Sequence, residues 1–110
     1  MTAIARLEVI PVHEGSQSND IANAIDALDD YDVAYETTAT DTVVEAETVD
    51  ELFDAVKAAH NAVGGDRVIT ELEIDHQRSR DQHIGDRVAA VETALGRPAR
   101  REDRASSPSK

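Results

Sequence analysis

Four strands are predicted from the pattern of hydrophobic and polar residues, three from alternating faces and one from the run Thr42-Val43-Val44. In the first of them, Leu7 and Val9 fall on one face, and Arg6 and Glu8 fall on the other. The second and third strands are separated by residues 39–41, a connection short enough for a hairpin. The predicted strands are residues 3–12, 32–38, 42–47 and 67–75.

Apolar residues spaced three and four apart predict two helices between these strands. The first follows a loop in which either Ser16 or Ser18 can supply the N-cap, and its stripe contains Ile21, Ala24, Ile25 and Leu28. The second starts with the capping box Thr48-Val49-Asp50-Glu51 and stops at Gly64-Gly65. Its stripe contains Val49, Leu52, Phe53, Val56, His60 and Val63.

A third, shorter helix is predicted over residues 83–95, with Gly96 at its end. Its apolar stripe contains Ile84, Val88, Val91 and Leu95. The order β-α-β-β-α-β followed by a helix favours the α+β class. We expect a ferredoxin-like sandwich, in which a four-stranded antiparallel sheet carries two helices on one face. Residues 1–96 form the predicted domain.

Residues 97–110 contain two prolines, five bases and no apolar periodicity, so they are predicted to be a disordered basic tail.

The sheet face away from the two helices has a mixed composition. Acids and one arginine lie among isoleucines, a pattern typical of a face that is either solvated or in contact with another subunit, and we favour the contact. We therefore expect a homo-oligomer that associates through this face. The residues are Ile4, Arg6, Glu8, Ile10, Glu36, Ile69, Glu71 and Glu73.

The chain is strongly acidic, with 23 acids against 11 bases and a net charge of −12. This charge argues against nucleic acid and anionic membranes as partners, because both require a basic surface. Only two of the bases are lysines, and aromatic residues are scarce, a composition typical of proteins adapted to high salt. No apolar run reaches the roughly 18 residues of a membrane span, and no signal sequence follows Met1. We expect a cytoplasmic protein.

No catalytic motif is present, so we expect neither an enzyme nor a cofactor. Without cysteine there is no thiolate nucleophile or thiolate metal site. The four histidines, His13, His60, His76 and His83, contain no pair spaced for a helical metal site, and no metal is expected. His60 lies on the apolar stripe of its helix, where it is either a core residue or a ligand contact.

An ordered set of short motifs resembles the small thiamine-binding protein family. The resemblance covers residues 3–91 and rests on the whole set rather than on one diagnostic motif. The motifs are Glu8-Val9-Ile10-Pro11, Ser16-x-Ser18, Tyr35-Glu36, Thr42-Val43-Val44-Glu45, Asp50-Glu51-Leu52-Phe53, Ala59-His60, Arg67-Val68, Ile74-Asp75 and Arg78.

The resemblance implies a ferredoxin-like subunit of a dimer or tetramer that binds thiamine, or its hydroxymethylpyrimidine part, without transforming it. Carboxylates and hydroxyls suit the hydrogen-bonding groups of an aminopyrimidine, and acids suit the thiazolium cation. By this analogy the ligand-binding residues are Glu8, Ser16, Ser18, Thr42, Glu45 and Asp75, with His60 as a neighbour.

Other roles stay open for these residues. Either serine can be a helix cap, Thr42 can be an ordinary strand residue, and Glu8 can belong to a subunit interface. The chain also departs from the family at Thr40-Asp41, where Met-Gly is usual, and at Asp20, where an aromatic is common. The alternative functions are a structural or regulatory interaction protein with no small ligand, and an enzyme acting on a thiamine precursor.

Overall fold

The computed structural model describes residues 2–99 and has the predicted α+β, ferredoxin-like architecture. Four strands form one antiparallel sheet, and α1 and α2 pack against one of its faces. The elements are β1 (Ala3–Pro11), α1 (Ser18–Leu28), β2 (Val33–Thr37), β3 (Thr42–Ala46), α2 (Val49–Asn61), β4 (Val68–Asp75) and α3 (Asp86–Leu95). None of these helices is long and apolar enough to cross a membrane.

The strand order is β2-β3-β1-β4, which places β1 in the interior of the sheet. Its two neighbours differ in length. The ladder with β4 continues to the pair Pro11–Val68, whereas the ladder with β3 stops at the pair Leu7–Thr42. The last part of β1 therefore has a strand partner on only one side.

The hydrophobic core lies between the sheet and the two helices. The helix-facing side chains of β1 and β3 meet the inner faces of α1 and α2, where Leu28 is 1% exposed and Leu52 is 0% exposed. Burial of each aliphatic side chain of this size stabilises the folded state by about 1.5–3 kcal/mol relative to leaving the side chain exposed. The core residues are Ala3, Ala5, Leu7, Val9, Ala24, Leu28, Val44, Ala46, Leu52, Ala55, Val56, Ala59 and Val63.

The capping box of α2 is only half formed. The backbone N–H of Glu51 donates to Thr48 Oγ at 3.1 Å, as predicted. The Glu51 carboxylate does not return a bond to Thr48, and instead accepts from the backbone N–H of Asp32 at 3.0 Å. Glu51 thus connects the start of α2 to the turn before β2. The helix ends at Asn61, earlier than the predicted Gly64-Gly65 stop.

Two further predictions about helix ends and faces are wrong. The N-cap of α1 is Gln17, which makes no side-chain capping bond, so neither Ser16 nor Ser18 caps the helix. Phe53 is 50% exposed and lies beside the buried stripe of α2 rather than within it.

The third helix begins at Asp86 rather than at residue 83, and contains no buried residue. Gly85 precedes it with a φ of 101°, a conformation that glycine tolerates because it lacks a Cβ. Val88, Val91 and Leu95, its apolar stripe, are 42%, 51% and 47% exposed. The helix therefore forms no part of the core.

The sheet side opposite α1 and α2 is called the open face here. The strand register confirms the predicted mixture of acids and isoleucines on it, and Arg6 pairs with Glu73 at 3.1 Å. The open face consists of Ile4, Arg6, Glu8, Ile10, Ala34, Glu36, Val43, Glu45, Ile69, Glu71, Glu73 and Asp75.

Most of the predicted basic tail, residues 100–110, lies outside the described residues. Its first part is described: the backbone N–H of Ala99 donates to Glu92 Oε2 of α3 at 2.7 Å.

Candidate functional site

A cleft opens where β1 extends beyond β3. The turn between β2 and β3 forms one wall, the last part of β1 forms another, and the start of α1 closes the helix side. We call it the sheet cleft; its volume is about 230 Å³. The lining residues are Leu7, Glu8, Val9, Ile10, Gln17, Ile21, Thr37, Thr38, Ala39, Thr40, Asp41 and Thr42.

The cleft combines an apolar wall with hydroxyls and carboxylates. Val9 and Ile21 supply aliphatic surface, and the threonines of the β2–β3 turn supply hydroxyl groups. Glu8 is exposed, and within residues 2–99 its carboxylate makes no hydrogen bond or ion pair. Both Glu8 oxygens are therefore available to N–H donors of a ligand.

The turn beside the cleft is fixed by its own side chains. Backbone N–H groups of Thr40 and Asp41 donate to Thr38 Oγ at 3.2 and 3.1 Å. The Thr38 hydroxyl in turn donates to Asp41 Oδ1 at 2.9 Å, and the Thr38 N–H donates to the Asp41 carbonyl at 2.8 Å. Such local bonds define the position of the turn without help from the core.

Several cleft residues were missed by the sequence analysis. Gln17 lines the cleft, and its side-chain amide donates to the Pro11 carbonyl at 2.9 Å, which joins the start of α1 to the end of β1. Thr38 and Asp41 line it as well. One feature of the sequence pointed to this turn: the departure from the family pattern at Thr40-Asp41. These two residues belong to the β2–β3 turn, which forms a wall of the sheet cleft.

Of the predicted ligand-binding residues, Glu8 and Thr42 come together at the sheet cleft. Thr42 is 8% exposed, and its hydroxyl lies 3.4 Å from that of Thr37. Ser16 and Ser18 lie on either side of Gln17 but do not line the cleft. The Ser16 hydroxyl donates to Ser18 Oγ at 3.2 Å, and the Ser18 N–H donates to Ser16 Oγ at 3.2 Å.

Glu45 and Asp75 lie at the other end of the open face, both beside Ile4. Ile4 precedes Glu8 by four residues along β1, a separation of roughly 13 Å in a strand. Both Glu45 oxygens are engaged: Oε1 accepts from the Ile84 N–H at 2.6 Å, and Oε2 lies 2.8 Å from His83 Nδ1. Glu45 thus connects β3 to the segment that precedes α3.

A second cavity, of about 410 Å³, lies beneath that segment. We call it the face groove, since its floor is the open face and its roof is residues 82–88. Asp75 is among its lining residues, together with the apolar side chains Ile4, Val43, Ile84 and Val88.

His60 lies away from both cavities. Its half-buried imidazole is hydrogen-bonded to the hydroxyl of Thr70, on the helix-facing side of β4. This contact joins α2 to the edge strand, and His60 lies outside the set of buried core residues.

The Glu45–His83 contact predicts a pH-dependent attachment of residues 81–86. The hydrogen bond to Glu45 and the charge of Glu45 raise the pKa of His83 above 6.5; Asp86 and Asp81 raise it further, and desolvation partly opposes them. Protonated His83 therefore stabilises the attachment fully below pH 6.5. This contribution is lost as the pH rises through the elevated pKa of the folded protein.

An NMR titration of the imidazole protons checks this prediction. We expect Glu45→Gln to bring the pKa of His83 down toward 6.5. His13 is the internal control, because the Glu14 carbonyl and Asp20 raise its pKa independently of Glu45. An unchanged His83 titration in the variant would contradict the contact.

The described residues offer no assembled metal site. Within residues 2–99, no three side chains of histidine, aspartate or glutamate converge closely enough to hold an ion.

Residues 5–92 match the model of a protein family described as thiamine-binding protein. A UPF0045 protein of Methanothermobacter thermautotrophicus is 45% identical over 96 residues, which cover 83% of this chain and 97% of that protein. The crystal structure of MJ1052 from Methanocaldococcus jannaschii matches with a TM-score of 0.76 and 33% identity, covering 82% of this chain and 95% of that one.

A second solved structure shares the fold. It is TM0486 of Thermotoga maritima, proposed as a thiamine biosynthesis or salvage protein, with a TM-score of 0.70 and 24% identity. The alignment covers 83% of this chain and 99% of that one.

Proposed function

This chain belongs to the thiamine-binding protein family, and from that membership we propose that it binds thiamine or the hydroxymethylpyrimidine part of thiamine. In this proposal the ligand lies in the sheet cleft and is not chemically changed. The observation that carries the proposal is the unpaired carboxylate of Glu8 in a cleft lined with hydroxyls. The family supplies the class of ligand, and the lining of the cleft is the reason for assigning the ligand to this position.

An aminopyrimidine ring fits the groups that line the sheet cleft. Its exocyclic amine donates to the Glu8 carboxylate, and its ring nitrogens accept from threonine hydroxyls. The aliphatic surface of Val9 and Ile21 covers the face of the ring. Because no aromatic residue lines the cleft, recognition depends on these hydrogen bonds rather than on stacking.

The charge around the cleft favours a cationic ligand over a phosphorylated one. Glu8 and Asp41 both line the cleft, and Glu71 is paired with Glu8 across β1 and β4. These carboxylates attract the thiazolium cation and repel phosphate groups. Thiamine and the free pyrimidine are therefore preferred over thiamine phosphates in this proposal.

Catalysis has no part in the proposed function. Within residues 2–99, none of the serine hydroxyls is hydrogen-bonded to a histidine. The Thr70 hydroxyl is hydrogen-bonded to His60, but neither residue lines the sheet cleft, so the proposal assigns no activated nucleophile to the cleft.

We also propose that the protein works as a homo-oligomer that associates through the open face. Ile4, Ile10, Ile69 and Val43 lie among charged side chains there, and among the described residues the chain covers this side of the sheet only where residues 82–88 roof the face groove. An exposed face of this composition is typical of an interface.

Isothermal titration calorimetry tests the ligand proposal. Thiamine and hydroxymethylpyrimidine are titrated separately into the protein in molar KCl, where nonspecific attraction of cations is screened. We expect saturable binding of both, because recognition is assigned to the pyrimidine ring. Binding of thiamine alone that fades as salt rises would contradict the proposal.

The second candidate is an interaction protein with no small ligand. The apolar stripe of α3, exposed on a helix that buries nothing, favours it. The absence of heat with either ligand, measured on a folded protein, would support this candidate instead.

A further inference from the structure

A small apolar cavity lies behind the sheet cleft, between α1 and the sheet. We call it the inner pocket; its volume is about 30 Å³. Ala24 and Leu28 of α1 form part of its wall and are 5% and 1% exposed. The inner pocket adjoins the sheet cleft, because four residues line both spaces. The shared residues are Leu7, Val9, Ile21 and Thr42.

The lining of the inner pocket suits an apolar group better than water. Among the described residues that form it, one has a polar side chain, Thr42, and the others are aliphatic. The Thr42 hydroxyl already lies 3.4 Å from the hydroxyl of Thr37. A buried water molecule normally makes about three hydrogen bonds, which one hydroxyl does not provide. Apolar cavities of this kind stay dry and take up apolar groups.

The volume of the inner pocket limits it to one small group. A cavity of roughly 10–15 Å³ is the least that holds a water molecule, and a methyl group is somewhat larger than water. The inner pocket, at about 30 Å³, therefore has space for one methyl group but not for a branched or longer chain.

The pyrimidine ring of thiamine carries a methyl group in a suitable position. The methyl group is attached to the carbon between the two ring nitrogens, and the link to the thiazolium starts at the opposite carbon of the ring. With the methyl group in the inner pocket, a ring nitrogen comes next to Thr42, which lines both spaces and donates its hydroxyl. The thiazolium then points away from α1, so this orientation suits thiamine and the free pyrimidine alike.

We propose that the inner pocket binds the methyl group of the pyrimidine, and that Ala24 determines the specificity for this group because its small side chain leaves the space open. The inference rests on the proposed function, since it assigns the orientation of the ligand in the sheet cleft. Ala24 lines the inner pocket but not the sheet cleft. A change at this position therefore acts on the methyl group rather than on the hydrogen bonds to the ring.

Calorimetric titration of the wild type with three pyrimidines tests the size of the inner pocket. The first is hydroxymethylpyrimidine, the second lacks its ring methyl group, and the third carries an isopropyl group in place of the methyl group. We expect the second to bind about fourfold more weakly than the first, the factor that corresponds to burial of one methyl group. The third should also bind more weakly, because the branched group does not fit. An affinity that rises from methyl to isopropyl would overturn the proposal.

Ala24→Val tests the role of position 24. The larger side chain fills the inner pocket from the side of α1, so the preference for the methylated over the unmethylated pyrimidine should disappear. Ala22→Val is the matched control, because it makes the same change on the same helix. Ala22 is exposed, lies about 200° round the helix from Ala24 and lines neither space, so this variant should keep the preference. Far-UV circular dichroism and urea unfolding verify that both variants fold.

The outcomes distinguish this inference from the proposed function. Equal affinities of the wild type for the methylated and unmethylated pyrimidines would overturn the inference and leave ligand binding in place. An unchanged preference in a folded Ala24→Val variant would do the same. If the wild type binds neither pyrimidine nor thiamine, the proposed function and the inference are overturned together.

Discussion

Replacing Leu52 with alanine is expected to lower the free energy of unfolding by about 2–5 kcal/mol, the range measured for large-to-small changes in well-packed cores. Leu52 is 0% exposed and lies on the face of α2 that packs against the sheet and α1. Removing its isobutyl group leaves a cavity between these layers. Since small domains are stable by only about 5–15 kcal/mol, the variant should show a much lower urea midpoint.

The adjacent residue gives a matched control. Phe53→Ala removes a larger side chain, but Phe53 is 50% exposed, so we expect a loss of only about 1 kcal/mol. Urea unfolding of both variants, followed by circular dichroism in the same molar KCl buffer, compares them directly. A greater loss for Phe53→Ala than for Leu52→Ala would mean that α2 presents a different face to the sheet.

Glu8→Gln is expected to weaken thiamine binding by about 10- to 100-fold. The substitution keeps the size of the side chain but replaces one acceptor oxygen with a donor and removes the negative charge. Hydrogen bonds to charged groups contribute about 1.5–3 kcal/mol, and each 1.4 kcal/mol corresponds to a tenfold change in affinity. Calorimetric titration of wild type and variant with thiamine measures the difference.

Glu36→Gln is the control for charge. Glu36 lies on the open face on β2 and loses the same negative charge, but it does not line the sheet cleft. The affinity of the Glu36→Gln variant for thiamine should stay within about threefold of wild type, since exposed charges contribute little to binding at high salt. Equal losses in the two variants would assign binding to the general acidity of the protein rather than to Glu8.

The first and last strands were predictable because β1 and β4 show the two-residue alternation that the sheet imposes. Arg6, Glu8, Glu71 and Glu73 were placed on the open face from sequence, and the register confirms that placement. Consecutive side chains of a strand point to opposite faces of the sheet, so the face on which each residue lies can be predicted without knowing the tertiary structure.

The inward face of α2 was predicted less well because small residues carry little signal. Large apolar residues suggested a stripe through Phe53 and His60, but the buried face also includes Ala55 and Ala59, which are 0% and 1% exposed. The observed face is therefore rotated toward the alanines, which allow the helix to approach the sheet closely. A sequence pattern that is judged by large apolar side chains does not detect a helix face formed by alanines.

The site was predicted only in part because its position depends on strand register. Glu8 and Thr42 come together since β3 pairs with β1 no further than Leu7. The family resemblance also pointed to Glu45 and Asp75, but the register places both at the other end of the open face. Whether those residues contact a ligand stays a prediction; Glu45 has a structural task in holding residues 83 and 84.

The unequal lengths of β1 and β3 have an evolutionary consequence. The sheet cleft exists because the β2–β3 hairpin turns back before β1 ends, so the size of the cleft depends on hairpin length. An insertion that lengthened both hairpin strands would extend the ladder along β1 and narrow the cleft, whereas a deletion would widen it. Neither change replaces any of the thirteen buried core residues, although two of them, Leu7 and Val9, also line the cleft. Under the proposed function, insertions and deletions at residues 38–41 can therefore change ligand preference while the core that maintains folding keeps its residues.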